Sequence, residues 1–103
     1  MRIRDKRSYL VYAERSGDAP LTLHLLDTAG KTVRTIDVPI VGGVMVTVPV
    51  GQTVEFNSAD GQKPSLAKIN GADVNMAALV GLGNGGYIIT EHPSVGDFVS
   101  FTQ

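Results

Sequence analysis

Two glycine-rich segments contain the residue types of a phosphate-binding site. Residues 81–86, Gly-Leu-Gly-Asn-Gly-Gly, match the G-x-G-x-x-G fingerprint of dinucleotide-binding proteins. That fingerprint follows a strand and opens a helix, so that the pyrophosphate of the ligand meets the helix N-terminus. Here a strand is predicted after the glycines, over Tyr87 to Thr90, and any helix comes before them. Because this order is reversed, we predict a loop and no nucleotide site.

The second segment, residues 28–32 (Thr-Ala-Gly-Lys-Thr), has the ending of a P-loop. A P-loop needs another glycine five residues before Gly30, and Leu25 occupies that position. A P-loop also leads into a helix, whereas this segment is predicted to close a β-hairpin. We therefore expect a turn over residues 27–31, with Gly30 in the left-handed conformation.

The titratable side chains give no catalytic pattern. Neither of the two histidines, His24 and His92, has a second metal-ligating residue at a suitable spacing, and His24 is predicted to face Arg34 across a hairpin. Acidic residues stand singly, mostly where turns begin and where aspartate bonds the local backbone. No serine lies in a nucleophile elbow. These patterns predict no metal, no cofactor and no enzymatic activity, although a triad formed only in three dimensions has no sequence signature.

Charge is sparse and unevenly distributed. Charged residues make up 18% of the chain, against about 25% in a typical domain, and the net charge is −1. The beginning of the chain is basic and its last third is acidic, which predicts that the head of one copy meets the tail of the next. The alternative is that these residues are solvated and have no partner. The predicted interaction residues are Arg2, Arg4, Lys6, Arg7, Asp73, Glu91 and Asp97.

Other partner classes have weaker support. The basic residues 2–7 contain no aromatic side chain and the net charge is not positive, so nucleic-acid binding is not expected. No apolar run approaches the roughly 18 residues of a membrane span, and Met1-Arg2-Ile3-Arg4 leads into no signal-peptide segment. The chain has no cysteine and hence no disulfide framework.

The clearest local structure is residues 44–56. Val44, Val46 and Val48 alternate with Met45 and Thr47, which is a strand pattern. Residues 49–51 (Pro-Val-Gly) fit a three-residue hairpin loop with its glycine in the left-handed conformation. This loop would set Val46 opposite Val54 and Val44 opposite Phe56. We therefore predict a β-hairpin whose core face comprises Val44, Val46, Val54 and Phe56.

Turns of the same x-x-Gly form recur at Gly30 and Gly61 and indicate a hairpin-rich protein. The first of these turns would set Val33 opposite Leu25. After Asn70-Gly71, a further turn, the pattern over 74–80 fits either a short helix capped by Asp73 or another strand. The other predicted strands are Ser8 to Ala13, Leu21 to Leu26, Thr32 to Val38, Ser65 to Ile69, Tyr87 to Thr90 and Asp97 to Thr102.

These elements predict an all-β protein. Short strands joined by tight turns are typical of an antiparallel β-sandwich or a small Greek-key barrel, here of seven to eight strands with one short helix near 73–80. The two architectures are not separated by the pattern. Residues 1–7 are predicted to be a basic N-terminal arm, and residues 8–103 a single antiparallel β domain.

The expected function follows by exclusion. A charge-poor, Cys-free, all-β chain without a catalytic pattern fits a non-enzymatic structural protein that packs against other protein subunits, in many copies, on a larger particle such as a virion, where it would decorate the capsid. The alternative is a small sandwich module that binds a protein, peptide or sugar through its loops, with residues 27–31 and 82–86 as candidates. A nucleic-acid-binding barrel is the third hypothesis.

Overall fold

The computed structural model describes residues 7–15 and 18–103, which contain ten strands, and the longer strands show the alternation of apolar and polar side chains. A three-residue 3-10 turn, Met76–Ala78, precedes the eighth strand. The strands are β1 Ser8–Glu14, β2 Leu21–Leu26, β3 Thr32–Val38, β4 Val44–Pro49, β5 Thr53–Ser58, β6 Leu66–Ile69, β7 Ala72–Asp73, β8 Leu79–Gly81, β9 Gly86–Ile89 and β10 Phe98–Thr102.

The strands form two five-stranded sheets that pack as a β-sandwich, which confirms the predicted fold class. The first sheet has the order β4-β1-β10-β6-β7 and the second β3-β2-β5-β9-β8. Neighbouring strands are antiparallel except β1 and β10, which run parallel. The strand count exceeds the predicted seven to eight because β7 and β8, with two and three residues, are too short to show an alternating pattern.

The core lies between the sheets and is built from the inward residues of each strand. Val11 and Ala13 from β1 meet Leu23 and other leucines of β2, and all are essentially inaccessible to solvent. Phe56 of β5 contacts Phe101 of β10 with ring centroids 5.6 Å apart, which joins the central strands of the two sheets. Each such aromatic or aliphatic side chain contributes about 1.5–3 kcal/mol by its burial.

The predicted hairpin over residues 44–56 is wrong. β4 pairs with β1 in the first sheet, whereas β5 pairs with β2 and β9 in the second. The turn itself forms, since Gln52 N donates to Pro49 O at 3.1 Å and Gly51 has φ 104°. The predicted core face is also correct, because Val46, Val54 and Phe56 are buried and Val44 is partly buried against the core. The inward residues of two consecutive strands can contact each other side by side in one sheet or face to face across the sandwich. The turn and the alternation therefore do not decide whether β4 and β5 pair.

The β2–β3 hairpin forms with the predicted bounds but a different register. A bulge between Leu25 and Leu26 leaves Val33 as an extra residue on β3. Leu25 consequently lies opposite Arg34 rather than Val33. His24 lies opposite Thr35 rather than Arg34, and its Nδ1 is 3.1 Å from Thr35 Oγ1.

The predicted helix near 73–80 is reduced to the 3-10 turn. Residues after the Asn70-Gly71 turn continue as strand, because Asp73 pairs with Lys68 and Val74 N donates to Ala67 O at 2.8 Å. The turn then starts at Asn75, whose Oδ1 accepts from Ala77 N at 2.9 Å. β8 begins at residue 79, so too few residues remain for an α-helix.

Candidate interaction site

The outer face of the first sheet combines apolar side chains with hydroxyl side chains. Residues directly opposite each other in a sheet share a face, so Leu10 lies beside Thr47 and Phe98, and Tyr12 lies beside Met45. Leu10 is 41% exposed and Met45 53% exposed. We call this surface the outer patch; its residues are Leu10, Tyr12, Met45, Thr47, Leu66, Phe98, Ser100 and Thr102.

Charged groups lie at the margins of the outer patch. Glu14 ends β1, and its Oε2 accepts a 3.3 Å hydrogen bond from the Tyr12 hydroxyl. Desolvation, and then the adjacent Glu14 carboxylate, raise the pKa of the Tyr12 phenol, so it is neutral at pH 7. Lys68 lies directly opposite Ser100 on the same face, and its Nζ lies 3.9 Å from Asp73 Oδ1. The part of the outer patch around Leu10 and Met45 has no charged cross-strand partner.

The outer face of the second sheet carries a polar cluster on β2, β3 and β5. On this face His24 lies beside Thr35 and Glu55, and Thr22 lies beside Asp37 and Asn57. Glu55 is only 4% exposed, and its Oε2 accepts a 2.8 Å hydrogen bond from Asn57 Nδ2. The second sheet also carries exposed apolar residues, since Val33 is 51% exposed and Val80 is 41% exposed. The two outer faces therefore differ in the polar cluster around Glu55 and Asn57 rather than in the presence of exposed apolar side chains.

A second feature is an open cleft of about 490 Å³ among the loops at one end of the second sheet. The two loops singled out in the sequence both reach it: Asp27, Thr28 and Gly30 come from the β2–β3 turn, and Leu82 from the loop before β9. Leu26 and Ile88 give it an apolar wall. The cleft, which Gly51, Thr53 and His92 complete, is in the size range of small-ligand sites.

The glycine-rich loop over 81–86 joins β8 to β9, as predicted. Leu82 N donates to Gly86 O at 2.9 Å, and Gly86 N donates to Asn84 Oδ1 at 2.9 Å. The 27–31 turn is likewise closed by its own side chain, because Asp27 Oδ1 accepts from the backbone N of Ala29 and of Lys31, both at 2.9 Å.

Among the predicted basic residues, Arg2, Arg4 and Lys6 lie outside the described residues. Arg7 is exposed, and its carbonyl accepts from Val50 N at 2.8 Å, just before β1 begins. Because β1 and β10 run parallel, Asp97 lies at the same end of the first sheet: Leu10 N donates to Asp97 O at 2.9 Å.

Each predicted acidic residue has its own local setting. Asp97 Oδ2 accepts from Ser94 N at 2.9 Å and its Oδ1 from Asn70 Nδ2 at 3.0 Å, and these bonds lower the pKa of the carboxyl group. Asp73 lies beside Lys68 on the edge strand β7. Glu91 lines a void of about 20 Å³ next to Tyr9, room for about one water. Their role as interaction residues stays a prediction.

One residue pattern in the sequence indicates the outer patch. The alternation that points Val46 inward also points Met45 outward, and an apolar residue there is unusual on a solvated strand. Linking Met45 to Leu10, Leu66 and Phe98 requires the strand order β4-β1-β10-β6, which no local pattern encodes.

Within residues 7–15 and 18–103, no group of three or more His, Asp or Glu side chains is placed to hold a metal ion. The same part of the chain contains no helix that is long and apolar enough to cross a membrane. No family model matches the sequence, and no curated protein matches it.

Proposed function

We propose that this protein is a non-enzymatic assembly subunit that packs through the outer patch against neighbouring protein subunits of a larger particle, of the kind that decorates a capsid. The observation that supports the proposal is the part of the outer patch around Leu10 and Met45, which are about half exposed and have no charged cross-strand partner. Exposed apolar side chains that lie near one another on one face are typical of a protein–protein contact.

The difference between the two outer faces around β1 and β2 supports this function. A subunit that coats a particle presents one face to its neighbours and the other to water. Here the second sheet places Thr22, His24 and Asp37 outward, whereas the first sheet places Leu10, Tyr12 and Phe98 outward. The occupant of the outer patch is therefore expected to be an uncharged, apolar protein surface, because a charged partner group would be desolvated there without a counter-ion.

The proposal is tested by fractionating the native source by size and measuring where the chain sediments. We expect the chain in a high-mass fraction, in many copies per particle, with chemical cross-links from residues bordering the outer patch. Recovery only as free chains of 10.9 kDa would contradict the proposal.

A matched pair of variants locates the contact. Leu10→Lys places a charge at the centre of the outer patch and should weaken incorporation into the particle at least about tenfold. Thr22→Lys is the control, because Thr22 lies on the corresponding second strand of the other sheet, beside Asp37. Equal incorporation of both variants would exclude the outer patch as the contact.

The loop cleft supports a second candidate function, a binding module for a protein, peptide or sugar. It brings the loop over 27–31 and Leu82 together around an apolar wall with polar groups from Asp27, Thr28 and His92. The test is to titrate the labelled protein with peptide and glycan libraries while following backbone amide resonances. Binding that shifts Gly30, Thr53 and His92, and that Leu82→Asp removes, would favour this function; responses confined to other surfaces would contradict it.

A further inference from the structure

We propose that β4 is a self-association strand: it pairs antiparallel with β4 of a second copy, so that two first sheets join into one ten-stranded sheet. This inference rests on the proposed function as an assembly subunit and specifies the partner and the surface. It differs from contact through the outer patch, because it uses the backbone of the sheet edge rather than the sheet face.

β4 has an open backbone edge. It pairs with β1 on one side and has no strand on the other within the described residues. Arg7 lies opposite Val50, and Val50 N donates to Arg7 O at 2.8 Å. Because hydrogen-bonded and non-hydrogen-bonded pairs alternate in an antiparallel ladder, Val44, Val46 and Val48 bond to β1. The backbone N–H and C=O groups of Met45 and Thr47 therefore point toward the open edge.

The edge lacks the usual protection against pairing. Natural proteins guard edge strands with charges, prolines or short length. The edge strand of the second sheet, β3, carries Arg34 and Asp37, and the remaining edges β7 and β8 have two and three residues. In contrast, the sequence from Val38 to Val54 contains no charged residue and no histidine. Pro49 ends β4 but leaves Met45 and Thr47 unguarded.

The strand is complementary to itself. If Val46 of one copy lies opposite Val46 of the other, Met45 of each copy lies opposite Thr47 of the other copy. These two pairs supply four inter-copy N–H···O bonds, with both donors and acceptors taken from the open edge. Met45 and Thr47 then share the outer face and Val46 stays on the inner face, so the faces of the two sheets match. With no charges on the strand, like-charge repulsion does not oppose the pairing.

The residues flanking β4 extend the same contact. Ile40 and Val41 precede the strand and are 63% and 84% exposed, and Val50 follows it and is 41% exposed. An antiparallel partner brings the beginning of one β4 beside the end of the other. Val41 of each copy would thus approach the end of β4 that carries Val50 in the second copy, which removes apolar surface from water at both ends of the pair.

The wild-type chain provides a test that needs no variant. We expect sedimentation equilibrium to show a concentration-dependent dimer. Hydrogen–deuterium exchange should show the amides of Met45 and Thr47 slowing at least about tenfold as the dimer forms, while Val44, Val46 and Val48 are protected at every concentration. A dimer that leaves the Met45 and Thr47 amides fast would overturn the pairing.

Two substitutions at Thr47 separate the contribution of its backbone N–H to dimerisation from that of its side chain. Thr47→Pro removes the outward N–H in each copy, hence two of the four bonds, and should raise the dimer dissociation constant at least about tenfold. Proline is tolerated on an edge strand where its N faces solvent. Thr47→Val keeps the N–H and should leave the dissociation constant within about threefold. Equal dimerisation of Thr47→Pro, verified as folded by circular dichroism, would overturn the inference.

The outcomes distinguish this inference from the proposed function. A chain that stays monomeric when pure, yet sediments with a particle in its source, overturns the β4 pairing and supports the assembly function. Self-association that Leu10→Lys abolishes and Thr47→Pro leaves intact indicates contact through the outer patch and also overturns the pairing. Protection of Met45 and Thr47 only when a different protein is added would identify that protein, rather than a second copy, as the added strand.

Discussion

Tyr9 connects the first sheet to the turn between β4 and β5, where the chain passes to the second sheet. Its side chain is buried, and its hydroxyl donates a 2.6 Å hydrogen bond to Gln52 O. Burial raises the pKa of the phenol to about 12, so the folded protein keeps Tyr9 neutral well above pH 10. The sequence indicated that Tyr9 alternates with Leu10, but its hydrogen-bond partner depends on where the β4–β5 turn lies in space.

Tyr9→Phe should lower the free energy of unfolding by about 1 kcal/mol at pH 7, because the Gln52 carbonyl loses its donor. The pH dependence is the sharper measurement. Tyr9 ionises near pH 10 in the unfolded chain but only near pH 12 in the folded protein. Unfolding therefore releases a proton between pH 10 and about 12. The free energy of unfolding of the wild type falls over this range by roughly 1.4 kcal/mol per pH unit. Tyr9→Phe should show a shallower fall in urea titrations. Parallel pH profiles for the two proteins would contradict this prediction.

Gly86 provides the space in which Glu55 is buried. A Cβ placed at Gly86 would lie 2.7 Å from Glu55 Cγ and overlap the carboxylate. In the sequence, Gly86 belongs to the glycine-rich segment 81–86 that matches the dinucleotide-binding fingerprint. Its packing role follows from the pairing of β5 with β9, where Asn57 lies opposite Gly86. That pairing joins segments about thirty residues apart in the chain, which a local pattern does not encode.

We expect Gly86→Ala to lower the free energy of unfolding by about 1–3 kcal/mol, because the added methyl group displaces Glu55 from its place beside Asn57. The double variant Glu55→Ala/Gly86→Ala should lose less than the sum of the two single variants, since the overlap disappears with the side chain. Denaturant unfolding of the four proteins measures this coupling. Strict additivity would show that Gly86→Ala acts through the backbone alone.

At the scale of elements, the turns were predictable and their partners were not. Gly30, Gly51 and Gly61 all have positive φ, as their x-x-Gly contexts predicted. Only the first closes a hairpin between paired strands among the described residues; after Gly51 and Gly61 the chain crosses to the other sheet. A turn fixes the direction of the next few residues, but pairing depends on which long strand offers a matching apolar face.

The β3–β4 crossing depends on two adjacent glycines with different surroundings. Gly42 and Gly43 both have positive φ, but a Cβ on Gly42 meets nothing within 4 Å, whereas one on Gly43 would lie 2.7 Å from Ala13 O. We expect Gly42→Ala to cost about 1 kcal/mol of stability and Gly43→Ala about 1–3 kcal/mol more, because β1 must shift to admit the methyl group. Urea unfolding of the matched pair tests this difference. Equal losses would show that backbone conformation alone determines the requirement for Gly43.

For the whole molecule, composition and alternation predicted an all-β sandwich or small barrel without separating the two, and they did not predict the outer patch. Alternation separated the two faces of each long strand and, for residues 44–56, predicted the core face, of which Val46, Val54 and Phe56 are buried. The outer patch arises only when β1, β4, β6 and β10 lie side by side, which depends on long-range pairing and on the parallel contact of β1 with β10. The charge distribution predicted contacts at the ends of the chain, whereas the outer patch and the β4 edge carry exposed apolar side chains such as Leu10 and Met45.

The salt dependence of self-association distinguishes these surfaces. Contact through the β4 edge or the outer patch involves few charges, so we expect the dissociation constant to change less than about threefold between 50 and 500 mM NaCl (roughly 14 and 4 Å Debye length), and sodium sulfate to tighten the contact. Head-to-tail contact between Arg2, Arg4, Lys6 and Arg7 and the acids Asp73, Glu91 and Asp97 should weaken at least about tenfold over that range. Sedimentation equilibrium at each salt concentration gives the constants. A steep loss of association with NaCl, with sulfate no better than chloride, would favour the charged ends over the apolar surfaces.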